Sequence, residues 1–479
     1  MKTNTPESKP WTVIVLAAGQ GKRMKSPLPK VLHPVAGLPL IHHVIESCHG
    51  AGLRDIRLVA GVGLPLVKQV VEPLGVQVFV QNKPQGTGDA VRAARPEELT
   101  GNVMILNGDH PLVQPEDLRA FITQFEEDKL DLMLVTTILK DPKSFGRIVR
   151  SGGQMRAIVE AKDASAETLK IKEVNTGIYL CKADLLAEQL PKIKNNNAQG
   201  EYYLTDVVSM SIDDGDKVGT CVGPKHVSVG VNNQLELARA SRWMFAWKAR
   251  KLMEEGVVIV DPRTAYIEKN AQIGPGSVVM PNVTIRGKSR IGAFVSIEPN
   301  CYINDSVIAD SVQIRANTYL ESVKIGLKAS IGPFARLRPD TEIGEDAHVG
   351  NFVEMKKVKF GNKSKAGHLT YLGDAEIGQE VNIGCGTITC NYAVDKKKYK
   401  TYIGDRTFVG SDSQFVAPVR VGADAVIGSG STITKDVPDR GLGVARAKQF
   451  TKENYVKIPD ANAEVTARPK GDSDEGKRG

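Results

Sequence analysis

The sequence contains little cysteine and no long apolar run. Six cysteines are scattered over 479 residues, and none of them forms a CxxC pair. This usage argues against a disulfide scaffold and favours free thiols in a reducing compartment. The first ten residues lack the apolar core of a signal peptide, and no stretch is long and apolar enough to span a bilayer. We therefore expect a cytoplasmic protein without a membrane span.

The sequence also lacks a strong excess of charge of either sign. Lysine and arginine number 63 against 55 aspartates and glutamates, which gives a net charge of +8. A charge this mild suits anionic small substrates as well as nucleic acid, so it does not choose between them. The 41% hydrophobic and 25% charged content is that of a soluble globular protein. The length predicts two or three domains.

A six-residue repeat fills the second half of the chain. Such a period is too long for an α-helix and too regular for ordinary strands, but it suits a β-helix in which each aliphatic side chain stacks on its equivalent in the next coil. Coincidental strands are the alternative, and the register argues against them because it holds through long runs. The repeated positions are Ile267, Ile273, Val279, Ile285, Ile291, Ile297 and Ile303, then Ile325, Ile331, Leu337, Ile343 and Val349, then Ile403, Val409, Phe415, Val421, Ile427 and Ile433.

The first half opens with a buried strand at Thr12–Leu16, and a glycine-containing loop follows it. Gly19 and Gly21 allow the backbone to approach a phosphate and to present its N–H groups. Their spacing fits neither the dinucleotide GxGxxG motif nor a Walker P-loop. Arg23 and Lys30 follow within a short distance, so the loop is a plausible cradle for a triphosphate.

Helices and strands then alternate, which predicts an α/β sheet. One strand, Val103–Leu106, is followed by Asp109. Open α/β sheets bind ligands at the carboxyl ends of their strands, so Asp109 is a candidate Mg²⁺ ligand. A turn-capping aspartate is the alternative. The other predicted elements are helices at about 41–48 and 66–71 and strands at 56–60 and 77–80.

Several motifs of this half, taken together in their order along the chain, resemble the sugar-1-phosphate nucleotidyltransferases. The segments 174–179 (VNTGIY) and 199–206 (QGEYYLTD) are similar to the uridylyltransferase half of the bifunctional bacterial N-acetylglucosamine-1-phosphate uridylyltransferase / glucosamine-1-phosphate N-acetyltransferase family. The resemblance extends from about Trp11 to about Arg446. The motifs that carry it are Leu16–Gly19, Arg23, Pro29–Lys30, Gly86–Thr87, Gly108–Asp109, Glu160, Asn175 and Asn232.

For this half the resemblance implies a Rossmann-like domain and a Mg²⁺-dependent transfer of UMP from UTP to N-acetylglucosamine-1-phosphate. Arg23 and Lys30 are the implied catalytic cations, and Asp109 and Asn232 are the implied metal ligands. Lys22 departs from the family, which often has Thr or Ser there. The implied UTP and UDP-N-acetylglucosamine contacts are Leu16, Ala17, Ala18, Gly19, Lys30, Gln81, Gly86, Thr87, Asn107, Gly108, Asp109, Gly146, Glu160, Asn175 and Asn232.

Two further predictions concern packing. His110, next to Asp109, is expected to be a packing or surface residue rather than a ligand. Apolar residues between Gln234 and Gly256 recur at steps of three and four, which predicts an amphipathic helix. We expect this helix to act as a linker arm that rests on one domain or on a neighbouring subunit.

The six-residue repeat is interrupted around 333–374 and again at 391–401. We expect these two segments to contain the residues that carry out chemistry. His368 lies in the first of them, near Arg338, Glu354 and Lys356 along the chain. Two cations suit a phosphate, and a histidine suits the deprotonation of an amine. The basic triplet Lys396–Lys398 is a second candidate, or is merely solvated.

The interrupted part of the repeat resembles the acetyltransferase half of the same family. The resemblance implies a left-handed parallel β-helix, which is an exception to the rule that parallel crossovers are right-handed. The resemblance implies a homotrimer with acetyl-CoA sites at subunit boundaries and with His368 as general base. Cys385 stands where the family commonly has Ala. The implied glucosamine-1-phosphate contacts are Arg338, Lys356, Tyr371 and Asn382, and the implied acetyl-CoA contacts are Cys385, Asn391, Tyr392, Ser411, Ser429 and Arg446.

We therefore predict a bifunctional enzyme that acetylates glucosamine-1-phosphate and then transfers UMP from UTP to the product, without a nucleic-acid partner. The predicted domains are a uridylyltransferase at 1–235, a helical linker at 236–256 and an acetyltransferase β-helix at 257–479 with a disordered tail after Arg446. One alternative is a nucleotidyltransferase with a purely structural β-helix. Another is a sugar-sensing or scaffold trimer with inactive sites.

Overall fold

A computed structural model describes residues 10–456 of the chain. They form an α/β sheet followed by a long coil of short strands. Residues 447–456 contain no helix or strand, and the rest of the tail that we predicted to be disordered, 457–479, lies outside the described residues. Within 10–456, no helix is both long and apolar enough to cross a membrane.

The strand Trp11–Ala17 lies inside the first sheet and pairs in parallel with Asp55–Ala60 and Asn102–Asn107. Its apolar run is buried on both sides, as expected for an inner parallel strand. The three strands therefore end at the same edge of the sheet. The order across the sheet is Val218–Val222, Leu132–Ile138, Glu173–Lys182, Asn102–Asn107, Trp11–Ala17, Asp55–Ala60 and Gln77–Val80, with Arg147–Ser151 and Gln154–Val159 as a side hairpin.

Helices cover this sheet, and the predicted elements are confirmed with small changes at their ends. The strand predicted at 77–80 has those bounds, and the helix predicted at about 41–48 extends by one or two residues at each end. The helices are Leu40–Gly50, Leu64–Val71, Thr87–Ala93, Pro115–Glu127, Ala183–Gln189, Asp206–Asp213 and Gln234–Glu254; the 3-10 helices are Lys22–Met24, Lys30–Leu32, Glu72–Leu74, Pro96–Glu98, Thr168–Lys170, Leu190–Lys192 and Lys225–Ser228; a small hairpin joins Pro34–Val35 to Leu38–Pro39.

The second half is the predicted left-handed parallel β-helix, in which each strand pairs in parallel with the third strand after it along most of the coil. Inward side chains form stacked columns; in one column Ile285, Ile303, Leu320 and Leu337 follow each other and are fully buried. The strands are Val258–Ile259, Tyr266–Ile267, Gln272–Ile273, Val278–Val279, Thr284–Arg286, Arg290–Ile291, Ser296–Ile297, Tyr302–Asn304, Val307–Ile308, Gln313–Ile314, Tyr319–Glu321, Val323–Ile325, Ser330–Ile331, Arg336–Leu337, Thr341–Ile343, His348–Phe360, Lys365–Ile377, Asn382–Ile383, Ile388–Cys390, Thr401–Ile403, Phe408–Val409, Gln414–Val416, Val419–Val421, Val426–Ile427, Thr432–Ile433 and Leu442–Gly443.

The first predicted interruption of the coil is wrong. Through 333–374 the coil continues, with the long strands His348–Phe360 and Lys365–Ile377 paired in register. His348 pairs with Lys365, so this coil has 17 residues instead of 18. The spacing of the inward aliphatic residues therefore shifts by one position, although the coil itself is not broken. The second interruption is a real insertion, because Asn382 pairs with Phe408, 26 residues further on.

The helix Gln234–Glu254 connects the two halves, as predicted. Ala240 and Met244 pack with Val35 and Leu40 of the first domain. Leu252, near the other end of the helix, belongs to the core of the β-helix. The arm thus rests its apolar side chains on both domains of its own chain, whereas we predicted one domain or a neighbouring subunit.

Candidate functional site

A cavity of about 550 Å³ opens at the carboxyl edge of the first sheet. The glycine loop after Trp11–Ala17 forms one wall, and the start of the helix Thr87–Ala93 forms another. Most of the predicted nucleotide contacts meet here. The lining residues are Leu16, Ala17, Ala18, Gly19, Gln20, Lys22, Lys30, Val31, Gln81, Pro84, Gly86, Thr87, Ala90, Asn107, Asp109 and Glu201.

The glycine loop owes its shape to Gly21. Gly21 has a φ of +60°, and a Cβ there would lie 2.7 Å from the Cβ of Lys30. Only glycine therefore allows Lys30 to pack against the loop. Gly19 differs, because a Cβ there would meet nothing within 4 Å. Its bare backbone faces open space in the cavity, where a phosphate can approach.

Four predicted residues from distant parts of the chain form one charged cluster. Lys30 is paired with Asp109, and its Nζ lies 3.2 Å from Oδ1 of Asn232. Arg23 donates to the same Oδ1 at 2.9 Å. Burial would raise the pKa of Asp109, but the Lys30 ammonium outweighs burial and holds this pKa below its usual value. Asp109 is therefore an anion at neutral pH.

The oxygens of Asp109 and Asn232 fit a hard divalent cation. Oδ2 of Asp109 and Oδ1 of Asn232 both accept from the ammonium of Lys30, so the two oxygens face the same point, where a positive charge is held. Among the described residues, no group of three or more His, Cys, Asp or Glu side chains could hold a metal. A cation with one or two protein ligands, completed by phosphate oxygens, matches the way that Mg²⁺ is bound in nucleotide sites.

A second cavity, of about 210 Å³, adjoins the first and shares Leu16, Thr87 and Asn107 with it. Its wall holds Asn175, whose amide donates to the hydroxyl of Tyr179 at 2.7 Å. Gly146, Glu160 and Asn175, from the predicted UDP-N-acetylglucosamine contacts, all line it. The full lining is Leu16, Thr87, Asn107, His110, Ser144, Phe145, Gly146, Glu160, Asn175, Thr176, Gly177, Tyr179, Leu204 and Thr205.

Burial, followed by the nearby Asp163, raises the pKa of Glu160 in this second cavity. His110 is buried, and its Nδ1 lies 3.0 Å from the carbonyl oxygen of Val227. It also lines this cavity, so its packing role stays a prediction. The sequence reasoning missed Tyr179 and Glu201. Tyr179 could have been found, because it lies on the same strand as Asn175 and four residues after it.

In the β-helix, the predicted acetyltransferase residues lie at two different corners of the prism. One corner contains His368, and the turns of the following coils stack beneath it through backbone hydrogen bonds from Gly386 to Leu369, from Asp412 to Cys385 and from Gly430 to Ser411. Arg446 donates to the carbonyl of Ser429 in the same column. We call this the histidine corner; it contains His368, Cys385, Ser411, Ser429 and Arg446, and Asn382 lies on the face that leads to it.

The other corner concentrates positive charge. Arg338, followed by Lys398, lowers the pKa of Lys356, so these three cations lie close together. The hydroxyl of Tyr371 and the amide of Asn391 both lie against Gly373, at 2.5 and 2.7 Å from where its Cβ would be. We call this the cationic corner; it contains Arg338, Lys356, Tyr371, Asn391 and Tyr392, and Lys398 from the predicted basic triplet.

The two corners are ends of one face of the prism. His368 and Gly373 are five residues apart in the strand Lys365–Ile377, and at ~3.3 Å per extended residue their backbones are at most roughly 16 Å apart. Gly373 pairs with Lys356, so the backbone of His368 lies at the opposite end of this face from the cations.

An exposed apolar column lies on the histidine corner. The rings of Phe334 and Phe352 stack with centroids 5.3 Å apart, and Leu369 follows in the next coil. Their side chains are 47%, 55% and 60% exposed. All three have a positive φ, which is costly for bulky residues. Such a column is typical of a surface that another protein covers.

Three family matches divide the chain in the same way as the fold. Residues 13–152 match the MobA-like NTP transferase domain, and residues 400–435 match the bacterial transferase hexapeptide family. Residues 255–360 match the GMPPB C-terminal domain. A solved structure, a putative glucose-1-phosphate thymidylyltransferase from Bacillus anthracis, is 21% identical with a TM-score of 0.41 and covers 48% of this chain and 94% of its own.

Curated relatives match almost the whole chain. The bifunctional protein GlmU of Bdellovibrio bacteriovorus is 63% identical over 93% of this chain and 97% of its own. The proteins of the same name from Marinobacter nauticus and Carboxydothermus hydrogenoformans are 45% and 44% identical, over 92% and 93% of this chain and 97% and 99% of theirs. The chain belongs to the GlmU family of bifunctional proteins.

Proposed function

We propose that the two cavities of the first domain hold UTP and N-acetylglucosamine-1-phosphate, as the uridylyltransferase half of this bifunctional enzyme of UDP-N-acetylglucosamine synthesis. The cluster of Lys30, Arg23, Asp109 and Asn232 supports the triphosphate position, because its members Lys30 and Asp109 line the first cavity and Arg23 and Asn232 are joined to them. The smaller cavity, with its amide and carboxylate groups, suits the hydroxyls of a sugar. The shared wall at Leu16, Thr87 and Asn107 supports binding of the two substrates side by side.

In this arrangement the sugar phosphate oxygen attacks the α-phosphorus of UTP, and pyrophosphate leaves. Lys30 and Arg23 neutralise the phosphate oxygens, and the glycine loop presents its N–H groups to them. Family membership implies a divalent cation, and we propose Mg²⁺, held by Asp109 and Asn232. When bound, it adds charge neutralisation at the phosphates. Positioning and charge suffice for this chemistry, so no strong base is required.

We propose that the β-helix carries the acetyl transfer. The cationic corner, with Arg338 and Lys356 side by side, is suited to the phosphate of glucosamine-1-phosphate. His368 takes one proton from the 2-ammonium group, and the freed amine attacks the thioester carbonyl of acetyl-CoA. The C–S bond then breaks, and the second proton lost from the nitrogen passes to the leaving thiolate, which gives the amide and free coenzyme A. Cys385 is half-buried beside this path, and the direct transfer leaves it no covalent role.

We further propose that the protein is a homotrimer in which the histidine corner of one subunit meets the cationic corner of the next. The single observation that supports this is the separation of His368 from Lys356 on one chain. The exposed column of Phe334, Phe352 and Leu369 gives the contact an apolar core beside His368. Parallel prisms around a three-fold axis repeat this contact three times and close the ring.

Mixing two inactive variants tests the shared site. His368→Ala and Lys356→Ala each damage one corner, so each pure variant is expected to lose acetyl transfer. When the two chains are co-expressed, some subunit contacts combine an intact His368 with an intact Lys356. Random mixing should restore about a quarter of wild-type acetyl transfer, since half of each corner type is intact.

The matched control combines His368→Ala with Asn382→Ala, two changes on the histidine side of the prism. This mixture should stay inactive, because the histidine side of every subunit then lacks either His368 or Asn382. If the co-expressed His368→Ala and Lys356→Ala chains remain at the activity of the pure variants, one chain builds the whole site. Light scattering on the wild type adds a direct measure, and an active monomer would contradict the trimer.

The cysteines support a reducing location, which we propose to be the cytoplasm. All six are free, and Cys48, Cys181, Cys221 and Cys301 are buried. Burial raises the pKa of Cys48 to about 12, so its thiol stays protonated and inert.

A further inference from the structure

The first cavity has a cationic end and an end without lysine or arginine, where Glu201 lies against Gly86. Lys22 and Lys30 line it next to the glycine loop. At the other end the lining side chains include Gln81, Thr87 and Ala90, at and before the start of a helix. A triphosphate belongs at the cationic end, so the Gln81 end is left for the base of the nucleotide.

The amide of Gln81 is held in one orientation. Its Nε2 donates to Oδ2 of Asp89 at 2.6 Å and to the carbonyl oxygen of Gly86 at 3.2 Å. A carboxylate and a backbone carbonyl are both acceptors, so the nitrogen and not the oxygen of the amide must face them. Gln81 is 7% exposed, which leaves its side chain little freedom to move away. Both amide hydrogens are thus used, and Oε1 is the atom left for a ligand.

We infer that Asp89 is a positioning residue that selects the base by fixing Gln81 as a hydrogen-bond acceptor. This inference rests on the proposed binding of UTP in this cavity. Uracil carries a ring N–H at N3, which can donate to Oε1 of Gln81. Cytosine has an unprotonated N3 at the same place, so two acceptors would face each other. Because the site's polar group would then remain unpaired, CTP is rejected although its size is the same.

Asp89→Asn is the direct test. An asparagine can donate as well as accept, so only the more distant carbonyl of Gly86, at 3.2 Å, still favours one orientation of the Gln81 amide. The turned amide, which meets cytosine with its N–H groups, then becomes accessible. The preference for UTP over CTP, measured as the ratio of their kcat/KM values in pyrophosphate release, is expected to fall about tenfold or more. Asp89 lines neither cavity, so kcat with UTP and KM for N-acetylglucosamine-1-phosphate should change little.

Asp184→Asn is the matched control. Asp184 is also a first-turn carboxylate, on the helix Ala183–Gln189, and it does not line the cavity. Its replacement should leave the UTP to CTP ratio at the wild-type value. A general loss of helix stability would lower the melting temperature in both variants without changing this ratio.

The outcomes separate the inference from the proposed function. If the wild type transfers UMP and prefers UTP, an unchanged ratio in folded Asp89→Asn overturns the role of Asp89. If the wild type does not use UTP, the proposed function itself is overturned. Should Asp89→Asn fail to fold by circular dichroism, Asp89→Ser provides the same test, since its hydroxyl can also donate or accept.

Discussion

Replacing His368 by alanine is expected to lower the kcat of acetyl transfer at least roughly 100-fold, the usual contribution of a positioned general base. The 2-ammonium group of glucosamine-1-phosphate has no lone pair for attack on the thioester until a base removes its proton. An imidazole titrates at about pH 6.5 when unperturbed, which suits this task near neutral pH. Because Arg338 and Lys356 hold the substrate independently of the base, KM should change less than kcat.

His348→Ala is the control for this experiment. His348 lies on the neighbouring strand, and its pKa is lowered by burial and then by Arg315, Lys365 and His368. It is thus a second histidine near the first, and its loss should leave acetyl transfer largely intact. Uridylyl transfer should stay near wild type in both variants. If His368→Ala kept most of its kcat from pH 6 to 9, the base would have to be another group, such as Tyr371 or a water held by Asn382.

Asp109→Ala should abolish uridylyl transfer and leave acetyl transfer intact. Asp109 carries the carboxylate that pairs with Lys30 and that we assign to the divalent cation. Without this carboxylate, Lys30 has no anionic partner. The cation that binds the triphosphate also loses one of its two protein ligands. The two activities lie on separate domains, so the acetyltransferase assay serves as an internal measure of folding.

Asp131→Ala is the matched control for the loss of an ion pair. Asp131 is paired with Lys182 in the same domain and lines neither cavity. Its replacement should lower the melting temperature modestly and leave both activities near wild type. Loss of both activities in well-folded Asp109→Ala would contradict the assignment of two independent sites.

The first domain shows how far the sequence can be interpreted without coordinates. Short apolar runs gave strands such as Trp11–Ala17, because inner parallel strands are buried on both faces. The carboxyl-edge rule then placed Asp109 at the ligand site, and the structure joins it to Lys30. The contact between Gln81 and Asp89 could not be predicted in this way. It depends on how a helix start lies against the end of a neighbouring strand.

The β-helix shows a different limit. The hexad period predicted its stacked core, since one inward residue is required on each face of each coil. Counting in sixes failed where a coil lost one residue, as between His348 and Lys365, and the change of phase was mistaken for a break. The separation of His368 from Lys356 was likewise invisible to counting, because a linear sequence does not tell which residues share a corner.

One coupled assay tests the central claim most directly. The wild-type enzyme is given glucosamine-1-phosphate, acetyl-CoA, UTP and Mg²⁺, and free coenzyme A, pyrophosphate and UDP-N-acetylglucosamine are measured together. We predict that the final sugar nucleotide forms and that coenzyme A and pyrophosphate are released in equal amounts as it accumulates. Pyrophosphate release from added N-acetylglucosamine-1-phosphate, with no coenzyme A released from glucosamine-1-phosphate, would contradict a catalytic β-helix and leave it a purely structural role.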